Sequence, residues 1–228
     1  MPVIDVILVP QGAEYQAVCR GVERAQCPIV VPIPVSPAPL SRFLKTWQQT
    51  NHIAGKKLLL MGLCGGLVPQ YAIADIVLYQ ECIKREFDNR AAPIAALPCD
   101  ATLSAWLQQK ISEAAVVSAL TSDRLVSSAQ EKHQLAQHYR ATVVDMEGFA
   151  ALEILQQTGA MVAMLRVVSD NAQHDLPDLN QAIGTDGTLH PLPLAWGMIR
   201  QPIAAMRLIQ GSLRGLKTLE AIAKRVSQ

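Results

Sequence analysis

The chain has 228 residues, enough to bury a sizeable core, and a balanced charge of +1 from twenty basic and nineteen acidic side chains. Half of the residues are hydrophobic but only 4% are aromatic, so we expect an aliphatic core of the kind that parallel strands form when both faces are covered. No basic run interleaved with aromatic residues is present, which argues against nucleic-acid binding. No apolar run approaches the roughly 18 residues that cross a bilayer, and no signal peptide is evident. We therefore expect a cytosolic protein.

The mean hydropathy of +0.19 is high for a soluble monomer. An oligomer interface, an apolar substrate groove or an Ala- and Val-rich core would each account for it, and we expect a homodimer or a larger homo-oligomer. The five cysteines are widely spread and include no CxxC pair, which indicates neither a disulfide framework nor a zinc site. His133 and His138 are five residues apart, a spacing that does not place them on one helix face. No metal site is predicted.

Strand and helix patterns alternate along the whole chain. Apolar runs predict strands at residues 3–9, 28–35, 57–63, 76–82, 114–120, 142–144 and 161–168. Helical spacing predicts helices from residues 13 and 191 onward, and at residues 40–50, 101–111, 127–139 and 146–157. The prolines of the second run place it at a sheet edge, and residues 83–100 are predicted to form a long loop or lid. Because no linker or repeat interrupts the pattern, we predict one α/β domain over residues 1–228.

Two of these helices carry predictions about their surroundings. The helix at residues 127–139 is polar and is predicted to face solvent. The C-terminal helical region is expected to break near Gln201-Pro202. Near its start, Leu194, Trp196 and Met198 are predicted to pack in the core.

The stretch from residue 141 to residue 172 organises the predicted site. Its two strand runs lead into carboxylates, the first into Asp145 and Glu147 and the second into Asp170. A helical connection of this kind makes two strands parallel, and ligands of open α/β sheets lie beyond the carboxyl ends of the strands. Glu147 and Asp170 are therefore predicted to face one crevice.

Helical spacing distinguishes Glu147 from Asp145. Glu147 stands at i relative to three apolar residues at i+3, i+4 and i+7, namely Ala150, Ala151 and Ile154. This spacing places Glu147 on the apolar helix face, where a carboxylate without a partner is costly. A ligand hydroxyl or a dedicated partner is expected there. Taken singly, Glu147 could instead complement a helix N-terminus, and Asp145 and Asp170 could cap strand–loop junctions.

A glycine-rich segment follows the third predicted strand, with the sequence Gly62-Leu63-Cys64-Gly65-Gly66-Leu67. Glycines let the backbone approach a ligand closely. The segment is not GxGxxG and enters no evident helix, so a dinucleotide site is not predicted. Earlier in the chain, Glu14 lies in the first turn of the first helix. It either complements the helix dipole or faces the crevice, and its position leaves both interpretations open.

Four motifs in the same order resemble those of the nucleoside phosphorylase and nucleosidase superfamily. They are Glu14 after the first strand, the glycine segment followed by Ala74-Asp75-Ile76-Val77, Val144-Asp145-Met146-Glu147-Gly148, and Arg166-Val167-Val168-Ser169-Asp170. The resemblance implies a single-domain three-layer α/β/α sandwich with a mixed, twisted central sheet. It also implies an enzyme that cleaves the N-glycosidic bond of a nucleoside with phosphate or water.

Further segments resemble the hopanoid-associated phosphorylase-like branch of this superfamily. They are Thr121-Ser122-Asp123, Ser128-Ala129, Lys132, Leu176-Pro177, Asp186-Gly187 and Arg200-Gln201-Pro202. This resemblance implies a purine nucleoside of the adenosine type with a lipidic, hopanoid 5′ substituent.

The superfamily resemblance also implies roles for individual residues. Asp170 is implied to be the acid that protonates purine N7, a task that needs a raised pKa, which partial burial can provide. Glu147 is implied to accept hydrogen bonds from a ribose hydroxyl and to stabilise oxocarbenium character, and Glu14 to be the general base for water. The residues implied to bind substrate are Leu63, Cys64, Gly65, Leu125, Val126, Asp145, Met146 and Ser169.

The nucleophile stays open between water and phosphate. Phosphate sites favour arginines and hydroxyls, yet the glycine segment carries Leu63 and Cys64 with no Ser or Thr, and no GDPxR-like segment follows the first strand. The arginines without a motif are Arg20, Arg42, Arg85 and Arg90. These departures favour water, so no cofactor is predicted, with inorganic phosphate as the alternative co-substrate. They also leave open a catalytically silent nucleoside-binding or assembly protein.

Overall fold

The computed structural model describes residues 4–22, 28–85, 95–182, 184, 186, 188 and 190–228. Within these ranges it contains one eight-stranded mixed sheet and seven α-helices. The strands are β1 (Val6–Pro10), β2 (Ile29–Ile33), β3 (Lys57–Gly66), β4 (Ile76–Lys84), β5 (Ala96–Pro98), β6 (Ala115–Thr121), β7 (Val143–Asp145) and β8 (Met161–Asp170). The helices are α1 (Ala13–Gly21), α2 (Pro37–Thr50), α3 (Ala101–Lys110), α4 (Ala129–Tyr139), α5 (Gly148–Leu155), α6 (Pro191–Arg200) and α7 (Pro202–Ser227). Short 3-10 turns lie at Gln156–Thr158 and Asn180–Ala182.

Helices cover both faces of the sheet, which confirms the predicted α/β/α sandwich with a mixed sheet. Successive side chains of a strand point to opposite faces, and along β1 Leu8 joins the core on one face while Ile7 and Val9 join the core on the other. The first core also contains residues of α2 and α5, and the second those of α1, α3 and α7. Both cores are mainly aliphatic, as the low aromatic content predicted.

The sheet order is β2-β1-β3-β7-β6-β4-β5, and β8 pairs with both β3 and β4. β8 runs parallel to β3 and antiparallel to β4, whereas β7 runs antiparallel to the end of β3. The prediction that β7 and β8 are parallel is therefore wrong. β7 has only three residues and pairs with β3 at Gly65 and Gly66, beyond most of the length that β8 occupies. The two strands approach the glycine segment from opposite directions, so their carboxyl ends still converge there.

Other predicted elements are present with shifted ends. β2 pairs with β1 alone among the described strands, so its prolines do mark a sheet edge. β3 continues through the glycine segment as a strand. The predicted lid at residues 83–100 is wrong in part, because β4 extends to Lys84 and β5 pairs antiparallel with it. Residues 86–94, which include Arg90, lie outside the described part of the chain.

The two C-terminal helices differ in what they contact. The predicted break near Gln201-Pro202 is confirmed, since α6 ends at Arg200 and α7 begins at Pro202. The predicted core packing of α6 is wrong: none of its residues is buried, and Trp196 is 60% exposed. The helix lies outside both cores and contacts the turn at Asn180–Ala182 and α7. No helix in the described ranges is long and apolar enough to cross a membrane.

Candidate functional site

A cluster of charged side chains lies against the glycine segment of β3. A Cβ atom at Gly62 would overlap Arg166 Nη1 and lie 2.5 Å from Glu14 Oε2. A Cβ atom at Gly65 would lie 3.0 Å from Asp170 Oδ2. The two glycines therefore leave the space in which two carboxylates and a guanidinium approach the backbone of one strand.

Glu14 reaches this segment from the first turn of α1. Its Oε2 accepts a hydrogen bond of 2.7 Å from the backbone N–H of Leu63. Burial raises the pKa of Glu14 to about 7, while Arg166 and the Leu63 hydrogen bond oppose the rise. Of the two interpretations of Glu14, the contact with β3 supports the one in which it faces the crevice. A carboxyl with this pKa changes its protonation near neutral pH, which suits a general base.

Arg166 is the central cation of the cluster and is fully buried on β8. Its Nη2 donates to Asp145 Oδ2 at 3.2 Å and to Glu147 Oε2 at 3.3 Å. Burial alone would lower the pKa of Arg166, but these two carboxylates raise it above its ordinary value. Its Nε and Nη1 have no hydrogen-bond partner among the described residues. Nη1 is therefore a buried donor aimed at the Gly62 side of the site, beside Glu14.

Arg166 belongs to a motif of the resemblance, but no role was predicted for it. Its signal was available: an arginine inside an otherwise apolar strand has to meet a buried carboxylate, because an unpaired buried charge is strongly unfavourable. The structure shows two such carboxylates.

Glu147 is buried, as predicted, but for a different reason. α5 begins at Gly148, so Glu147 precedes the helix and the helix-face argument is wrong. Asp145 is equally buried, so the spacing did not separate the two carboxylates. Asp145 ends β7 and Glu147 immediately precedes α5, and both accept hydrogen bonds from Arg166 on β8. Burial raises the pKa of Glu147 to about 7, with Arg166 opposing and Asp145 adding to the rise.

Asp145 binds several protein groups. Its Oδ1 accepts from the Thr121 hydroxyl at 2.8 Å, and both oxygens accept from the Gly148 backbone N–H at 3.1–3.2 Å. Together with the bond from Arg166, these contacts fix Asp145 between β6, α5 and β8. The geometry gives Asp145 a positioning role for Arg166, and its direct contact with substrate stays a prediction.

Asp170 ends β8 and meets a buried lysine from another element. Lys132 Nζ on α4 donates to Asp170 Oδ2 and, at 2.9 Å, to the carbonyl oxygen of Asn171. Ser169 Oγ donates to Asp170 Oδ1 at 2.9 Å. Lys132 is fully buried, so the prediction that α4 merely faces solvent is wrong. Lys132, Leu135 and Tyr139 are the buried residues of α4, and their helical spacing was the signal that sequence reasoning missed.

The backbone at Leu125 pairs with the side chain of Asn180. The Leu125 N–H donates to Asn180 Oδ1 at 2.9 Å, and Asn180 Nδ2 donates to the Leu125 carbonyl at 3.2 Å. The Asn180 amide thus accepts one hydrogen bond and donates another on a segment that the resemblance implies to bind substrate. No role was predicted for Asn180, because nothing in the sequence indicates that the turn at Asn180–Ala182 lies beside residue 125.

The remaining predicted substrate residues differ in burial, and their contact with substrate stays a prediction. Leu63 and Gly65 are half-buried on β3, Met146 is half-buried beside Glu147, and Val126 is buried. Burial raises the pKa of the Cys64 thiol above its ordinary value, which opposes a nucleophilic role for Cys64. A cavity of about 150 Å³ lies beside Asp170, lined by Ile73, Asp170, Asn171, His174, Asp175, Leu176 and Arg207.

Two of the arginines that belong to no motif form ion pairs with glutamates that the structure describes. Arg20 pairs with Glu220 at 2.7 Å, and Arg85 pairs with Glu131 at 2.7 Å. Among the described residues, no group of three or more His, Cys, Asp and Glu side chains could hold a metal ion. Among the described residues, Arg166 is the cation that lies against Gly62.

A family model described as the phosphorylase superfamily matches residues 29–187. An aminodeoxyfutalosine nucleosidase of Helicobacter pylori is 26% identical over 133 residues, which cover 53% of this chain and 58% of that protein. A 5′-methylthioadenosine/S-adenosylhomocysteine nucleosidase of Shewanella halifaxensis is 29% identical over 132 residues, 51% of this chain and 57% of that protein. The chain therefore matches little more than half of the length of these relatives.

Solved structures resemble the chain over nearly its whole length. A mutant Helicobacter pylori MTAN with 5′-methylthioadenosine in its active site has a TM-score of 0.72 at 17% identity, covering 99% of this chain and 98% of that one. Native futalosine hydrolase of the same organism has a TM-score of 0.73 at 17% identity, with 99% and 97% covered. At such identities the likeness establishes the fold.

Proposed function

Because the chain belongs to the phosphorylase superfamily, we propose that it cleaves the N-glycosidic bond of a purine nucleoside with water as the nucleophile. One observation carries the proposal: β3 has Glu14 and Arg166 beside Gly62, and Asp170 beside Gly65. Three residues of strand span roughly 10 Å, which leaves room for a ribose between the group that activates water and the group that protonates the base.

On the base side, Asp170 and Lys132 would act together. A purine leaves readily only when N7 is protonated or strongly hydrogen-bonded as the bond breaks. Asp170 would pass to N7 a proton that it receives at Oδ2 from the Lys132 ammonium, with which it forms an ion pair. The base then leaves neutral, and the lysine amine takes up a proton from solvent before the next turnover.

On the sugar side, Glu147 would accept a hydrogen bond from a ribose hydroxyl and stabilise the cationic sugar. Glu14 would take a proton from water as the water oxygen bonds to the anomeric carbon. Arg166 Nη1, which has no partner among the described residues, would donate to that water. A pKa of about 7 lets Glu14 accept the proton at neutral pH.

The charge of this cluster favours water over phosphate. Arg166 already faces two carboxylates, Asp145 and Glu147, and Glu14 lies on its other side. Among the described groups around Arg166, a phosphate anion placed there would meet three carboxyl groups, and repulsion from those that are ionised opposes its binding. Arg20 and Arg85 are each paired with a glutamate.

The substrate that we propose is an adenosine-type nucleoside with a lipidic, hopanoid-like 5′ substituent. The adjacent donor and acceptor on the Leu125 backbone match the adenine edge, whose ring nitrogen accepts and whose amino group donates. The cavity of about 150 Å³ beside Asp170 has apolar walls at Ile73 and Leu176 that would suit the first carbons of an aliphatic group, the rest of which would extend out of the cavity.

The experiment is base release from adenosine, 5′-methylthioadenosine and a long-chain 5′-alkyl adenosine, with and without phosphate, followed by chromatography. We expect free base and free sugar without phosphate, and loss of turnover in Asp170→Asn. Strict phosphate dependence would overturn the role of water. Tight nucleoside binding without turnover, unchanged in Glu147→Gln, would identify a silent binding protein instead.

A further inference from the structure

α6 and the first half of α7 each have an exposed apolar side, and the two sides together are called the apolar face. It consists of Leu192, Trp196, Ile199, Ile203, Met206, Ile209 and Leu213, which are 45–83% exposed. These residues recur every three or four positions, so on each helix they lie on one side. The other large hydrophobic side chains exposed in the described part of the chain are Ile29 and Val116 alone. The apolar face is therefore a concentrated feature, unlike the scattered apolar residues of an ordinary surface.

The same segment has a one-sided charge. Residues 191–219 contain four of the twenty basic residues and none of the nineteen acidic ones. The four are Arg200, Arg207, Arg214 and Lys217, and all are exposed. The guanidinium of Arg200 lies over the Trp196 ring, 5.4 Å from its centroid, so a cation is held at the edge of the apolar face.

We propose that the apolar face and its cations dock on an anionic lipid surface. An apolar helix side flanked by Lys and Arg is the pattern of helices that lie in the headgroup region, and a Trp side chain favours the same depth. A second copy of the chain suits the face less well. In a two-fold dimer the same patch faces itself, so the four cations of each copy would meet like charges.

The opposite side of α7 packs against the end of β8, next to the site. A Cβ atom at Gly211 would overlap the carbonyl oxygen of Ser169, and one at Gly215 would lie 2.9 Å from Leu63 Cδ2. One helix diameter, roughly 10 Å, therefore separates the end of β8 from the docked surface. A nucleoside whose 5′ substituent stays in the lipid would reach Asp170 over this distance. This last step rests on the proposed function, whereas docking itself does not.

Sedimentation with vesicles tests docking without any assay of turnover. We expect the full chain to bind vesicles of phosphatidylcholine mixed with phosphatidylglycerol, to bind phosphatidylcholine alone weakly, and to be released by salt, which screens the anionic headgroups. Trp196 fluorescence should shift to shorter wavelength on binding, and Trp196→Phe should remove that shift. Absence of binding to the mixed vesicles overturns the proposal.

Matched variants separate charge from apolar contact. Removing two cations in Arg214→Gln/Lys217→Gln should weaken partitioning by about fivefold for each. Lys45→Gln/Arg140→Gln, which removes the same charge from exposed positions elsewhere, should leave binding unchanged. Circular dichroism checks that each variant is folded.

The apolar contribution has its own pair of variants. Ile203→Ser/Met206→Ser/Ile209→Ser should abolish vesicle binding, and Ile29→Ser/Val116→Ser should not. Ultracentrifugation of the same proteins distinguishes a self-interface. If the triple variant turns an oligomer into monomers and neither protein binds vesicles, the face is an interface between copies and the lipid proposal is wrong.

Discussion

At the residue scale, Glu14 is the group whose protonation should control turnover. Burial raises its pKa to about 7, and a general base must be ionised to take a proton from water. We therefore expect kcat/KM to rise with pH through about 7 and then to level off. Glu147 has a similarly raised pKa, so the apparent pKa of the pH profile belongs to the pair.

Glu14→Gln should lower kcat about 100-fold or more. It should also remove the part of the pH dependence of kcat/KM that is due to Glu14. A wild-type profile that is flat across neutral pH would contradict this role.

The same variant should change stability in a pH-dependent way. The pKa of Glu14 is about 7 in the folded chain against 4.5 for the free side chain, so folding favours the protonated form. Its stabilising contribution is complete below about pH 4.5 and is lost as pH rises through about 7. Gln resembles the protonated acid and keeps an acceptor for Leu63 N–H. We expect nearly equal unfolding free energies at about pH 4 and an excess of about 1–3 kcal/mol for Glu14→Gln at about pH 8. Urea unfolding measures both, and exposed Glu153→Gln serves as the control.

Lys132 and Asp170 should behave as one proton-donating unit. Lys132→Gln keeps an N–H donor for Asp170 but carries no ionisable proton, so kcat should fall by about 10- to 100-fold with little change in KM. In Asp170→Asn, Lys132 has no carboxyl group to which it can pass a proton. The double variant should therefore be about as slow as Asp170→Asn, as members of one unit are non-additive. Additive losses in kcat would show that Lys132 acts independently of Asp170.

Asn180 should compete with the base for the Leu125 backbone. Its amide makes the two hydrogen bonds that an adenine edge would make there. Each bond contributes about 0.5–1.5 kcal/mol, so the loss of both competing bonds in Asn180→Ala should lower KM by about five- to 150-fold and leave kcat unchanged. Asn180→Asp, which keeps the acceptor for Leu125 N–H, should have a smaller effect. A raised KM in Asn180→Ala would mean that Asn180 supports the segment instead.

At the element scale, periodicity predicted most strands and helices but not their ends or neighbours. Glu147 was predicted to lie inside a helix because it has helical spacing to the apolar residues that follow Gly148. Such spacing does not show at which residue the helix begins. The rule that a helical connection makes two strands parallel failed for β7 and β8. The rule assumes strands that are long enough to lie side by side. α4 was predicted to be solvated because its composition is polar, although one lysine of that helix faces Asp170.

The packing of α7 on β8 depends on Gly211 more than on Gly215. A methyl group at Gly211 would overlap the backbone oxygen of Ser169, which cannot move independently of Asp170. Gly211→Ala should therefore destabilise the chain by about 1–3 kcal/mol and lower kcat through displacement of Asp170. Gly215→Ala meets only the Leu63 side-chain end and should cost less. Urea unfolding and kcat compare the two variants, and equal effects would contradict the difference in packing.

At the scale of the whole molecule, the site is assembled from distant parts of the chain. Glu14 and Leu63 are 49 residues apart, and Lys132 and Asp170 are 38 apart. Motif order identified Glu14, Glu147 and Asp170, because those residues carry a recognisable local pattern. Arg166 and Lys132 also left signals in the sequence, one as a charge inside an apolar strand and the other through its spacing with Leu135 and Tyr139. Those signals indicate that each side chain is buried, but they do not indicate which carboxylate it contacts, because the contacts form only when α4 and β8 meet at β3.

The sheet should unfold as one unit. Both cores use alternate side chains of the same strands, so neither can persist after the strands separate, and the chain is predicted to be a single domain. Trp47 packs on one core and Trp106 on the other. Two variants are made in a Trp196→Phe background. Trp47→Phe leaves Trp106 as the fluorescent probe of one face, and Trp106→Phe leaves Trp47 as the probe of the other. We expect both probes and far-UV circular dichroism to report one coincident urea transition at a fixed protein concentration. Separate midpoints for the two faces would show that they unfold independently and would contradict a single domain.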